Sequence, residues 1–148
     1  PVGPLIEFRS NVFYNWGGSA AGYNADKNSK ATYAFIDNCY FSGPDTKKEL
    51  IFREDNPLAN SWFSGNMMDG KLPVQQRDLV QGVWNPLAAA PHIAPVKTDR
   101  APFGCASVLR SAGASAVRDA VDQRIVADVK RRSGKIIDSQ DEVGGWPD

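Results

Sequence analysis

The chain has 148 residues, 42% of them apolar and 23% charged, which excludes a disordered or collagen-like polymer and suits one domain. Its 17 basic and 17 acidic residues cancel, so no whole-domain electrostatic grip on nucleic acid or an anionic membrane is expected. No run approaches the roughly 18–20 apolar residues of a membrane span, and two cysteines cannot build a four-thiolate zinc site.

Residues 6–9 alternate apolar and polar and predict a strand; Asn11 marks a bend with left-handed geometry, and residues 12–16 resume extended. This unit returns twice. Residues 8–13, 35–40 and 63–68 all read Phe-x-x-Asn followed by two apolar positions, at steps of 27 and 28 residues. A unit this short buries no core by itself, so its copies must stack as a solenoid. Gly17, Gly18, Gly43 and Pro44 close the units and disfavour helix. The predicted fold is mainly β: a parallel β-helix, present as a partial solenoid, with a C-terminal covering segment and an amphipathic helix. Stacking places Phe8, Phe35 and Phe63 in one column. Asn11, Asn38 and Asn66 form another, at about the 4.8 Å strand spacing, where side-chain amides bond up the ladder. The same register is expected to turn Val12, Cys39 and Met67 inward, making Cys39 a buried core thiol. Separate thiols at Cys39 and Cys105 are expected rather than a bridge, although an oxidising compartment leaves pairing open.

Between the repeated strands lie polar excursions, residues 18–30, 44–61 and 69–81, which read as loops on one side of the solenoid. Most of their charges read as solvated. Lys47, Lys48, Arg53 and Lys71 are the candidate substrate-binding residues. Asp26 and Asp45 begin short polar runs, but neither run has the spaced acidic ligands of a calcium loop.

After Trp84 the prolines at 86, 91, 95 and 102 mark an extended segment that closes the last coil or runs back along the stack. His92 within it reads as a surface residue. A short helix is predicted over 106–111, stopped at Gly113, and a longer one from Ser115 as N-cap to about residue 130. Its apolar row is Val117, Val121, Ile125 and Val129, with Arg118 and Asp122 paired across one turn. The basic run Lys130, Arg131 and Arg132 suits a helix C-terminus without nucleic acid. Residues 1–85 are thus coils with excursions, and 86–148 the covering segment, helices and tail of the same domain.

These residues resemble a known family. Residues 8–17, with Asn11, Asn15, Trp16 and Gly17, then 38–46, with Tyr40, Gly43, Pro44 and Thr46, then 64–66, are similar to successive rungs of pectate lyases of polysaccharide lyase family 1. So is the tail, with Arg118, Asp119, Asp122 and Arg124 followed by Asp138, Ser139, Gln140, Glu142, Gly144, Gly145 and Trp146. The resemblance covers nearly the whole chain.

It implies a secreted right-handed parallel β-helix that cleaves polygalacturonate by calcium-dependent β-elimination. A proton leaves C5 beside the uronate carboxylate, calcium on that carboxylate acidifies it, and an arginine or lysine accepts it as the O4 bond breaks. The family's arginine motif belongs just before the first rung, where this sequence has Pro1, Val2, Gly3 and Pro4. Arg9 matches a rung position and is no catalytic base. No catalytic residue and no calcium ligand is therefore assigned here, and the chain reads as the C-terminal part of a lyase, inactive alone. Missing N-terminal coils or a second protein chain are expected at its N-terminal edge. The alternative is a non-catalytic β-helix module for assembly or carbohydrate binding.

Overall fold

The computed structural model describes residues 3–92 and 95–146. Part of the proline-spaced segment, half of the Pro1 to Pro4 stretch and the end of the tail fall outside them. Strands β1 (Leu5–Arg9), β4 (Ala31–Ile36) and β7 (Ala59–Ser64) form one parallel sheet, in that order. A second parallel sheet comprises β2 (Val12–Tyr14), β5 (Cys39–Phe41) and β8 (Met67–Met68). A third comprises β3 (Gly22–Asn24), β6 (Phe52–Glu54) and β9 (Val80–Gly82). Each coil contributes one strand to each sheet, so the chain is a short parallel β-helix. The third sheet corrects the reading of residues 18–30, 44–61 and 69–81 as loops only. Its strands are three residues long with mixed polarity, too short to show an alternating pattern.

Register follows the repeat. Phe8, Phe35 and Phe63 are paired across β1, β4 and β7, and their rings stack with centroids 4.9 and 4.7 Å apart. Phe13 stacks on Tyr40 at 4.7 Å in the next sheet. Trp16, Ile51, Phe52, Met68, Leu79 and Val80 complete the core. At the bend, Asn38 and Asn66 are fully buried. Asn38 Nδ2 donates to Asn66 Oδ1 at 2.9 Å, and Asn11 Nδ2 donates to Asn38 Oδ1 at 3.2 Å. The left-handed residues lie one position earlier than expected, at Ser10, Asp37 and Gly65 with φ of 52°, 52° and 68°. Each turns the chain so that the following asparagine points into the stack. Gly65 is required twice over, because a Cβ there would lie 2.1 Å from Asp37 Oδ1.

Two expectations about the cysteines are overturned. Strand alternation turns Phe13, Tyr40 and Met68 inward, so Val12, Cys39 and Met67 face outward, where they meet Ala101 and Cys105. Cys39 and Cys105 form a disulfide with Cα atoms 6.1 Å apart. It bonds helix α1 (Ala101–Ser111) to the outer face of the second sheet.

Residue 86 bridges Ser61 of the last strand, and Leu87 N donates to Ser61 O at 2.9 Å. At the other end of this segment Thr98 Oγ1 accepts from Arg9 Nη1 at 2.8 Å, on the first strand. Ala34, which alternation turns away from the core, is fully buried, so the outer face of the first sheet is covered at its centre, whereas Leu5 and Asn60 on that face are exposed.

Both predicted helices have different bounds. α1 begins five residues earlier than expected, with Pro102 in its first turn. Helix α2 spans Ala120–Arg131, and its N-cap is Asp119, whose side chain accepts from Asp122 N at 2.8 Å, rather than Ser115. The reason lies in the intervening turn. Arg118 Nη2 donates to the carbonyls of Leu109, Arg110 and Ala112, and Asp122 Oδ2 accepts from Ala114 N, so residues 112–118 are held out of helix. The expected Arg118–Asp122 pair is thereby replaced, and Arg124 and Asp128 form the pair one turn on, at 3.8 Å. Val126 and Val129 are the buried stripe, whereas Val117 and Ile125 are exposed.

Candidate functional site

The outer faces of the three sheets differ in cover. The first is met at β7 by residues 86–87 and at β1 by Thr98. The second lies under α1, and beside it Arg132 stacks over the Phe41 ring at 3.8 Å while Tyr14 Oη donates to Ser133 O at 2.6 Å. The third is open. Because its strands have only three residues, each presents one outward side chain, and the register aligns Tyr23, Arg53 and Gln81 in a row. Tyr23 is 69% exposed, Gln81 is exposed and Arg53 is half-buried.

Arg53 is held in place from three sides. Its Nη2 lies 3.2 Å from Asp55 Oδ2, its Nη1 donates to Ser19 Oγ at 3.3 Å, and its guanidinium sits 5.5 Å from the Tyr23 ring centre. Its Nε has no hydrogen-bond partner among the described residues. Behind the row the polar wall is buried. Glu54 is 5% exposed, its Oε1 accepts from Asn56 N at 2.8 Å, and burial pushes its carboxyl above the usual range. At the end of the sheet Arg77 donates to the carbonyls of Val80 and Gly82, closing the free edge of β9 and lying 5.4 Å from the Trp84 ring. A cation, an aromatic face and an amide at strand spacing suit a ligand that repeats carboxylates and sugar rings along a line.

Of the candidate residues from sequence, only Arg53 stands in this row. Lys47 and Lys48 are exposed on the connection between β5 and β6, where the Lys48 carbonyl accepts from Trp16 Nε1 at 2.9 Å. Lys71 is exposed in a tight turn, its backbone exchanging two hydrogen bonds with Met68. Tyr23 and Gln81 escaped sequence reasoning because the candidates were drawn from the charged residues of the excursions, and neither side chain carries a charge. The 28-residue step leads from Arg53 to Gln81, whereas Tyr23 lies 30 residues before Arg53, off the 27-residue step.

The two short polar runs serve local structure. Asp26 Oδ1 accepts from Asn28 N and Ser29 N, and these bonds hold its carboxyl below the usual range. Asp45 Oδ2 accepts from Ile136 N at 2.7 Å and from Asn15 Nδ2 at 2.8 Å, tying the tail to the coils. Among the described residues no three His, Cys, Asp or Glu side chains converge as a bound metal requires.

Comparison with known proteins gives fungal relatives. The chain is 30% identical over 158 residues to the probable pectate lyase C of Aspergillus flavus, covering 96% of this chain and 36% of that protein. It is 30% identical over 155 residues to the probable pectate lyase C of Neosartorya fischeri, covering 94% and 35% respectively. A third, from Aspergillus fumigatus, is 30% identical over 156 residues. No protein-family model and no solved structure matches the chain. It spans about a third of the length of these curated relatives and is similar, along nearly all of its own length, to proteins named as probable pectate lyases.

Proposed function

We propose that this chain is the C-terminal part of a secreted, pectate lyase-like polysaccharide lyase acting on polygalacturonate or a related acidic polysaccharide by calcium-dependent β-elimination. The observation that carries this reading is the open row of Tyr23, Arg53 and Gln81 on the third sheet. In it Arg53 pairs with a uronate carboxylate, Tyr23 supplies a face for a sugar ring, and Gln81 bonds to hydroxyls. The chain's contribution is to bind and orient the polymer. The base that removes the C5 proton and the ligands of the calcium ion belong, on this reading, to coils upstream of the first rung.

The disulfide fits an oxidising compartment. Among the described residues, strands β1, β2 and β3 each have a paired strand on one side, and the other side is an edge at which further coils or a second chain would pair. Among the described residues no helix is long and apolar enough to cross a membrane.

Two measurements test the proposal. Retardation of the chain in gels containing polygalacturonate is expected, weakening with salt because the contact is ionic. On the same polymer with calcium at alkaline pH, the chain alone is expected to release no unsaturated product absorbing in the near ultraviolet. Absence of retardation overturns the substrate assignment. Product formation abolished by a chelator overturns the assignment of catalysis to other coils, and Lys47, Lys48, Arg53 and Lys71 are then the residues to mutate.

A further inference from the structure

A groove of about 530 Å³ runs between α2 and the tail, far from the third sheet in the sequence of elements and in the size range of small-ligand sites. Its apolar wall is formed by Val121, Ile125, Ile137, Val143 and Trp146. Trp146 is 80% exposed, although an indole of this size is ordinarily buried against protein.

The backbone holds that indole deliberately. The short 3-10 helix Gln140–Val143 is fixed by a reciprocal cap in which Ser139 Oγ accepts from Asp141 N and Glu142 Oε1 accepts from Ser139 N, with Asp138 N donating to the same oxygen. Lys135 pairs with Glu142 beneath it. Two consecutive left-handed glycines follow, Gly144 at φ 99° and Gly145 at φ 84°, and Gly145 N donates to Gln140 O at 2.9 Å. A Cβ at either glycine would touch nothing within 4 Å, so the glycines are there for backbone conformation alone. The turn reverses the chain and sets Trp146 on the groove.

The polar rim decides the ligand class. Asp119, Asp122 and Asp138 line it against the single cation Arg124, which already pairs with Asp128. Asp119 and Asp122 each use a carboxylate oxygen on a backbone amide, whereas the Asp138 carboxylate accepts no hydrogen bond among the described residues. Such a rim repels a uronate. It welcomes a ligand with an apolar face for the indole and hydroxyl donors for a carboxylate. We infer that the groove binds a neutral pyranose unit, stacked on Trp146 with its hydroxyls donating to Asp138. This second site differs from the third-sheet row in charge preference, and its test uses no acidic sugar, so either reading can fail without the other.

The test is titration of the full chain with two neutral β-linked trisaccharides, cellotriose and galactotriose, followed at the indole Nε1 resonance of Trp146. A saturable shift with at least one of them is expected. Trp146→Ala is expected to weaken binding about tenfold and Trp146→Phe much less, as stacking requires. Asp138→Asn is expected to weaken it while circular dichroism stays unchanged. No saturable shift with either sugar overturns the inference. So does a groove that takes tetramethylammonium in preference to both sugars, or unchanged affinity in Trp146→Ala.

Discussion

Asn38 makes four side-chain hydrogen bonds while fully buried. It accepts from Asn11 N and Nδ2 and donates to Phe8 O and Asn66 Oδ1. Asn38→Ala leaves those groups without partners inside the bend, and we expect a loss of about 3 kcal/mol in urea unfolding. Asn60→Ala, at an exposed position of β7, is expected to change stability by less than about 0.5 kcal/mol. Asp45 behaves differently because its role is pH-dependent. The amide of Ile136, then the Asn15 side chain, hold its carboxyl below the ordinary value, so the folded state favours the ionised form. Its contribution is therefore present above the unfolded-state value and is lost as pH falls through the lowered one. Hydrogen exchange at the Ile136 amide is expected to lose protection on acidification, and Asp45→Asn to lose it already at neutral pH. The asparagine column was legible because its residues repeat at fixed steps. The partners of Asp45 were not, since Ile136 lies 91 residues away with no pattern linking them.

Among the elements, α1 shows why helix existence is easier to read than helix placement. Its residues from 106 to 111 have a helical pattern, but its start depends on Ala101 and Cys105 meeting Cys39. The disulfide closes a separation of 66 residues, and its removal by Cys105→Ser is expected to cost about 2–4 kcal/mol, read as a lower midpoint in urea. Reduction with dithiothreitol should lower the midpoint of the parent chain alike and leave that of the variant where it is. The inward assignment of Cys39 failed through a one-residue shift in alternation, which moves every side chain of a strand to the other face. The 3-10 helix Gln76–Leu79 acts as an end cap. Gln76 Oε1 accepts from Asn66 N and Nδ2, and Gln76 Nε2 donates to Asn66 O, so Gln76 is the terminal rung of the ladder. Gln76→Ala is expected to cost about 1–2 kcal/mol and to raise amide exchange in β8 before β2.

At the scale of the whole molecule the two ends of the stack are unequal. Gln76, Arg77 and Asn85 satisfy the last coil's backbone and amide groups, whereas β1, β2 and β3 have neighbours on one side. The outer faces of the first two sheets carry covering residues and the third presents Tyr23 and Gln81 to solvent, which is why the proposed binding row lies there. The coil repeat and the phenylalanine column were legible in the sequence. Tyr23 and Gln81 became neighbours of Arg53 only through register across strands separated by 30 and 28 residues. The central claim is that this open row holds an acidic polysaccharide. Its most direct test is backbone and side-chain resonance mapping during titration with trigalacturonate, on the parent chain and on Arg53→Ala. The account predicts shifts centred on Tyr23, Arg53 and Gln81, and affinity about tenfold weaker in the variant. Shifts centred instead on Lys47, Lys48 or Lys71, or equal affinity in Arg53→Ala, would contradict it.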